Sequence, residues 1–538
     1  MNDCSLELER ILGLTTLNNS SLLTAKNSVV YVAGCVAVRH SIDDSKQKQF
    51  FQAQHAIACI ALTADENYLA VGERGHNPKI LIFEVSSGKL VVSLENHKHG
   101  IGSMAFSPDG RYLVSASFKV DKQLCIWDWR SRRIVSSHKI GNKVNAIAFH
   151  YSGNYFVTCG DRHLKWWHIL YEDDGTMLGV TGQPAAILDT HAQSNFVDVV
   201  LMGSESKEEK ANAYVITSSG ILCLFSSETR MMSKWEQIQT SSSFCLSFHH
   251  AVVTTSKPVS SGQAAACTFE YLFVGCANGA ILCFSANSLK YVAALPLPAP
   301  LSTMDPRGSA SSALELENGD ISISHPACTG VRVMRHTTHH AGKGGGKADT
   351  SVMAFGKKFP VNAAASTTAT LLVAVYADHS FFIWDIGALF VPPNYPFELR
   401  KDMKDVSPRY VRLQSHVFHR SCIWDLQFID SIFGGSDGTD PTEDDTLDET
   451  AAILERGAKR GGKQLLLPTG TMVTGSTDGS IRFWNMSALP RSTQLSSGGQ
   501  NAHAHLMWKS PYSRDMLHSI DIGSSSSADS ASSAIDNS

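Results

Sequence analysis

Four places in this 538-residue chain hold residue types that do chemistry in other proteins. Gly434-Gly435-Ser436-Asp437-Gly438 has the spacing of a nucleophile elbow, which needs a strand–turn–helix that strains the serine and aims it at a histidine. Here the motif opens an acidic stretch with seven carboxylates and no base between residues 435 and 450, so no catalysis is expected of it. Residues 341–348, AGKGGGKA, resemble a phosphate loop but lack its first glycine and the Ser/Thr after Lys347, and read as a linker. Cys328, His336, His339 and His340 offer metal ligands without a second paired cysteine or a rigid frame, so no metal is expected. Cys125 and Cys223 each stand two residues before a strand-ending aromatic, a repeated position that suits core packing better than redox work. No catalytic residue and no cofactor is therefore expected.

The elements that carry these residues repeat. MAFSPDGRYLVSASFKVDKQLCIWD (104–128), AIAFHYSGNYFVTCGDRHLKWW (146–167), LLVAVYADHSFFIWD (371–385) and TMVTGSTDGSIRFWN (471–485) each read as strand, polar turn, strand ending in an aromatic. The ends align on Phe83, Trp127, Trp167, Phe225, Phe284, Trp384 and Trp484, and VVYVAGCVAVRH at 29–40 adds a degenerate copy. The first two steps, 44 and 40 residues, match the ~40–45 period of a propeller blade. Later steps stretch to 58, 59, 100 and 100 through polar or Gly-rich insertions. The fold class expected is all-β, a WD-repeat β-propeller read as seven-bladed. The eighth unit either begins a second ring or makes the ring eight-bladed.

Within each repeat an Asp six residues before the aromatic, as Asp121, Asp161, Asp378 and Asp478, is expected to hold the b–c turn. His97 and His419 precede a strand-a aliphatic by four residues. Together with Trp127, Trp167, Trp384 and Trp484 they define a buried His–Ser/Thr–Asp–Trp chain whose role is rigidity. Asn77, Ser219 and Asn278 replace the Asp in three other units. Arg74, His76, Phe118, Lys119, Arg162 and His163 fall in or beside b–c turns, which share one face with the d–a loops. They are the candidate partner-binding residues, since arginines and aromatics are favoured at interfaces.

Composition narrows the rest. Lys+Arg is 46 and Asp+Glu is 50, a net charge of −4, which lacks the basic footprint of a nucleic-acid binder. Charged residues are 18% against ~25% on average. No apolar run reaches the ~18–20 residues that span a bilayer, and the acidic N-terminus is unlike a signal peptide, so no membrane partner is expected. The 12 cysteines form no paired framework and suit a reducing, intracellular setting. Residues 1–54 are read as a closing strand (8–15) plus the first degenerate blade, and 55–490 as the propeller with insertions at 299–350, 387–408 and 431–468. Residues 491–538 form an extension whose last 15 residues hold eight serines. The 299–350 insertion, lying between LKYVAALP and VMAF, is expected to be a d–a loop.

The blade-specific phrases carry a likeness. LERILGLT (8–15), VVYVAGCVAV (29–38), WDWRSRRIVSSHKIGNKVNAIAF (127–149), SGNYFVTCGDRHLKWW (152–167) and SSGILCLF (218–225) follow one another in order. FVGCANGAILCFSANSLKYVAALPLP (273–298), YADHSFFIWDI (376–386), HVFHRSCIWDLQF (416–428) and GSTDGSIRFWNM (475–486) continue it. The chain resembles the mitogen-activated protein kinase-binding protein 1 and WD repeat-containing protein 62 family. That resemblance implies a non-enzymatic scaffold in stress-kinase signalling, placed in the cytoplasm at centrosomes or spindle poles. Its partners would be a stress-activated kinase module or microtubule-associated proteins. The family plan has tandem propellers and a long C-terminal half. The second propeller and the kinase-docking region have no counterpart in these 538 residues. Two rival functions are an enzyme on a propeller frame, for which no nucleophile–base–acid set is found, and a cilium- or flagellum-associated structural protein.

Overall fold

The computed structural model describes Leu8 and residues 10–16, 18–43, 45–173, 175–188, 191–201, 212–238, 243–254, 266–295, 313–315, 321–323, 326–338, 351–354, 357–360, 367–386, 411–419, 422–429, 471–477 and 481–485. The chain divides into two compact units, residues 1–299, 322–418 and 495–502 in one, and 300–321, 419–494 and 503–538 in the other. Among the described residues the first unit holds seven four-stranded antiparallel sheets, and the second a three-stranded sheet, Ile423–Ile429, Thr471–Ser476 and Ile481–Asn485. Two two-stranded sheets, Ala313–Glu315 with Ile321–Ile323 and Ser351–Ala354 with Lys357–Pro360, and one short 3-10 turn, Asn19–Ser21, complete the regular elements among the described residues.

The strands follow from burial on both faces. In the third sheet the middle strands are Tyr112–Ser117 and Gln123–Asp128; every residue of the first is buried, as are Leu124 to Trp127 of the second. Continuous apolar runs of this kind suit a sheet covered on each side by a neighbour. The outer strand, Arg133–Lys139, is mostly exposed and carries charge. The core is accordingly a series of slabs between sheets. One joins Ile82, Leu94, Met104, Leu113 and Trp127 of the second and third sheets; another joins Val114, Ile126, Phe156 and Trp167 of the third and fourth. The a–b turns are fixed locally. Ser107 bonds the Asp109 carboxylate two residues on, and Gly110 takes φ +67, the left-handed region that glycine enters without steric cost.

The seven inner strands lie side by side, and the last returns to the first. Asn19 joins four segments at once. Its Nδ2 donates to Asp198 Oδ2 at 2.5 Å and to the Leu246 carbonyl at 3.2 Å. Its Oδ1 accepts from Val331 N at 3.1 Å, and Arg332 Nη2 donates to its carbonyl at 2.9 Å. Arg332 Nε also reaches Leu22 O, at 3.2 Å. Burial pushes the Asp198 carboxyl above its ordinary range, and the Arg332 charge pulls it back.

Two expectations need correction. Residues 8–15 do not form a strand where described. The outer strand of the seventh sheet is Val411–Val417, and all four strands of the first sheet come from residues 22–52. The segment instead crosses the junction as a strap. Ile11 N donates to Gln47 Oε1 at 2.7 Å, Thr15 N to Val32 O at 2.7 Å, and His379 of the seventh sheet donates to Leu14 O. Second, residues 328–338 are not part of a d–a loop. Cys328–Thr338 is the inner strand of the seventh sheet, paired with Thr367–Tyr376, while Ser351–Ala354 pairs only with Lys357–Pro360. The insertion before Thr367 therefore lies between strands a and b. Residues 387–408, 431–468 and 491–538 lie outside the described residues.

Candidate functional site

Hydrogen-bond chains pin the turns. In the third sheet Trp127 Nε1 donates to Ser115 Oγ at 2.9 Å, and His97 Nε2 lies 2.8 Å from the same oxygen. In the second unit Trp484 Nε1 donates to Thr474 Oγ1 at 2.7 Å, with His419 Nε2 at 2.6 Å. The fourth sheet makes the same chain with a different histidine. Trp167 Nε1 donates to Thr158 Oγ1 at 2.8 Å, and His163 Nε2 stands 2.8 Å from it. His163 is thus a framework residue at the start of its own strand c, which corrects its assignment to the partner-binding set. Burial lowers the His97 pKa to about 4 against the opposing pull of Asp121. Burial, helped by Lys165, lowers His163 to about 4 as well. Both rings are neutral at pH 7.

The acidic members behave differently from one another. Asp121 does not bond His97. It accepts from Lys98 N at 2.7 Å and His99 N at 2.9 Å, and pairs with the His99 ring. Burial raises its pKa, but the His99 ring and the two backbone donors outweigh that and hold it below the ordinary range. Glu73 plays the matching part in the second sheet. It accepts from Gln54 N at 3.0 Å, His55 N at 3.2 Å and Lys79 N at 3.0 Å, with His55 Nδ1 at 3.3 Å. It is fully buried, and those donors keep it ionised despite the cost of burial. Sequence reasoning looked to Asn77 and missed Glu73; a lone Glu ending an apolar strand was the available signal. Asp378 accepts from Ser380 N at 3.1 Å within its own turn, and Trp384 is buried beside Phe382. Asp161 departs from the expected chain. It sits at the surface between Lys119 Nζ and Arg162 Nε, each at 3.7 Å. Asp478 lies outside the described residues.

Antiparallel order puts the b–c turns and d–a loops of these sheets on one face, and hydrogen bonds stitch neighbouring loops together. Asn77 N donates to Lys98 O at 2.8 Å, Phe118 N to Gly100 O at 3.0 Å, and Asp161 N to Lys143 O at 3.0 Å. Arg74, His76, Lys119 and Arg162 are exposed, and Phe118 is half-buried. The Phe118 ring lies over Gly100, where a Cβ would come within 2.6 Å of it and φ is +137, so only glycine fits. His76 and His99 meet edge to face at 5.9 Å. The sheets therefore bring five of the six candidate residues onto one continuous surface and withdraw His163 from it.

The remaining candidates are placed as follows. Cys125 and Cys223 are buried; burial raises both thiols, Cys223 to about 12, so neither is a thiolate nucleophile at pH 7. Cys328 and His336 stand on one inner strand, where His336 Nε2 pairs with Asp43 at 2.8 Å. Among the described residues no group of three or more His, Cys, Asp or Glu is placed to hold a metal, and no helix is long and apolar enough to cross a membrane. His339, His340, residues 341–348 and 434–438 lie outside the described residues.

The repeated Trp-anchored sheets have a counterpart among known families. The WD domain, G-beta repeat family matches residues 88–128, 129–168 and 466–485. The chain carries WD repeats and folds as a WD β-propeller. It is 27% identical over 490 residues to mouse mitogen-activated protein kinase-binding protein 1, covering 89% of this chain and 25% of that protein. It is likewise 27% identical over 485 residues to mouse WD repeat-containing protein 62, covering 89% of this chain and 25% of that one. A more distant likeness, 19% over 238 residues, links 42% of this chain to 37% of mouse cilia- and flagella-associated protein 52. The chain thus spans about a quarter of the length of the first two relatives.

Proposed function

We propose that this WD-repeat chain is a non-catalytic protein-interaction scaffold that needs no cofactor, and that Arg74, His76, Phe118, Lys119 and Arg162 form its contact face. The observation that carries the reading is the continuity of that face. Loops of three successive sheets are tied together by backbone bonds, and Lys119 of the third sheet reaches Asp161 of the fourth. A surface fixed by a rigid frame loses little entropy when it binds, which favours recognition. The partner class follows from the relatives, one of which is named for binding a mitogen-activated protein kinase. Stress-kinase components or microtubule-associated proteins, met in the cytoplasm at the centrosome or spindle pole, are the partners proposed. A structural role in cilia or flagella is the second reading, supported by the cilia- and flagella-associated relative.

Affinity purification of the full chain with quantitative mass spectrometry tests this. Kinase-module or microtubule-associated proteins are expected with the wild type and are expected to fall away with Lys119→Ala/Arg162→Ala. Recovery of no such protein, or equal recovery by both, overturns the reading. A tagged chain confined to the axoneme would select the ciliary alternative.

A further inference from the structure

Among the described residues, the loop face of the second, third and fourth sheets carries a charge bias that their opposite side does not. Arg74, Lys98, Lys119, Lys122, Lys143 and Arg162 project from loops of the second, third and fourth sheets, and all six are exposed. Among the described residues three carboxylates reach that loop surface, and each already has a partner; Glu95, at the end of the second sheet's outer strand, pairs with Lys79 at 2.9 Å. The Asp121 side chain is 3% exposed and is held by His99 and two backbone donors. Asp161 is already flanked by Lys119 and Arg162. On the opposite side of the same sheets the signs are mixed, with Asp65, Glu66 and Asp109 against Arg111, Arg130 and Arg132. The b–c turns of the fifth and sixth sheets, Ser218-Ser219-Gly220 and Ala277-Asn278-Gly279, bear no charge. Among the described residues the cationic surplus therefore lies on one face of three adjacent sheets. Apolar surface lies within it: Val120 is 69% exposed in the third sheet's b–c turn, two residues from the half-buried Phe118.

We propose that this face binds an acidic peptide segment of a partner protein, its carboxylates set along the loop cations and an apolar side chain against Val120 and Phe118. The inference rests on the scaffold reading and names the chemistry of the partner. An extended ligand fits because the cations are spread over three sheets rather than converging on one point. A peptide fits better than a nucleic acid for two reasons. The Asp161 carboxylate stands among the cations, where a uniformly charged phosphate backbone would meet it, and apolar contacts lie in the middle of the patch. Exposed ion pairs of this kind add modest affinity singly, and their sum sets encounter rate and salt dependence.

The test is fluorescence anisotropy with the full chain and a short labelled Glu-rich peptide carrying one Leu, beside the same peptide with Gln for Glu. Saturable binding of the Glu peptide that weakens with salt is expected, with little binding of the Gln peptide. K98E/K119E/R162E is expected to weaken it by about tenfold or more, while Lys89→Glu, on the opposite face, changes it less than about twofold. Melting curves establish that the triple variant is folded; if it is not, the single Lys98→Glu change at an exposed position carries the comparison. No binding to wild type overturns the proposal. So do equal binding of the Gln peptide, an equal loss in Lys89→Glu, or tighter binding of a short DNA duplex. If partners are still captured through Lys119 and Arg162 while the acidic peptide does not bind, only the acidic chemistry fails. If neither binds, the scaffold reading fails with it.

Discussion

A single hydroxyl does the positioning in each pinned turn. Ser115 and Thr158 each accept a hydrogen bond from an indole N–H and face an imidazole, so removing either hydroxyl strands two buried polar atoms at about 1–3 kcal/mol apiece. The same burial makes His97 and His163 pH-sensitive elements of the fold. Their folded-state pKa values, about 4, lie below the ordinary value of 6.5. As pH falls from about 6.5 to about 4 the unfolded chain takes up protons that the folded one refuses, so stability declines through that window. The melting temperature is expected to fall across it, and His97→Gln/His163→Gln is expected to flatten the slope while keeping an amide near each hydroxyl. An unchanged slope in the variant would assign the decline to other groups. The carboxylates held below their ordinary range, Asp121 and Glu73, act with the same sign at lower pH, and Asp198, raised by burial, acts with the opposite sign. His97, Trp127 and His419 were legible because their spacing repeats. Glu73 and His163 were not, because each fills the role from a different sequence position.

Closure of the first unit depends on side chains rather than on a borrowed strand. Asn19 supplies two donor contacts and two acceptor contacts, to Asp198, Leu246, Val331 and Arg332. Removing its amide leaves the Asp198 carboxylate and the Val331 N–H each short of a bond in a buried setting. Asn19→Ala is expected to cost about 2–4 kcal/mol and to lower the denaturation midpoint without changing the slope, as read by urea titration. A variant within about 0.5 kcal/mol of wild type would show that closure rests on apolar packing alone. The likeness among the inner strands could not reveal this network. It joins residues 19, 198, 246 and 331, which only the ring brings together. Cys328–Thr338 escaped sequence reading for a related reason: its partner Thr367–Tyr376 lies beyond a long insertion, so the two-strand repeat was not contiguous.

At the scale of the molecule, seven consecutive sheets of the first unit form a series in which the last returns to the first. Residues 1–418 therefore contain every described sheet of that unit. A chain ending at Phe418 is expected to fold, give a β-type circular dichroism spectrum, and melt cooperatively within a few degrees of the main transition of the whole chain. An unfolded product would mean that later residues are required for the ring. The second unit shows why its sheet was counted as a separate repeat. It repeats the His419–Thr474–Trp484 chain, yet Ile423, Trp424 and Leu426 on its first strand remain exposed.

Sequence alone determined the local unit. Apolar runs bounded by polar turns, ended by an aromatic and recurring near one period, admit four-stranded sheets that bury one another, because the middle strands have no polar face to offer water. Sequence context also argues against the apparent nucleophile, phosphate and metal motifs, because the residues flanking them do not suit that chemistry. Tertiary structure decided which groups meet. Asn19 with Asp198, Lys119 with Asp161, and Leu14 with His379 are set by the order in which sheets stack. Repeat spacing describes one blade at a time, whereas contacts between blades depend on how the whole ring closes.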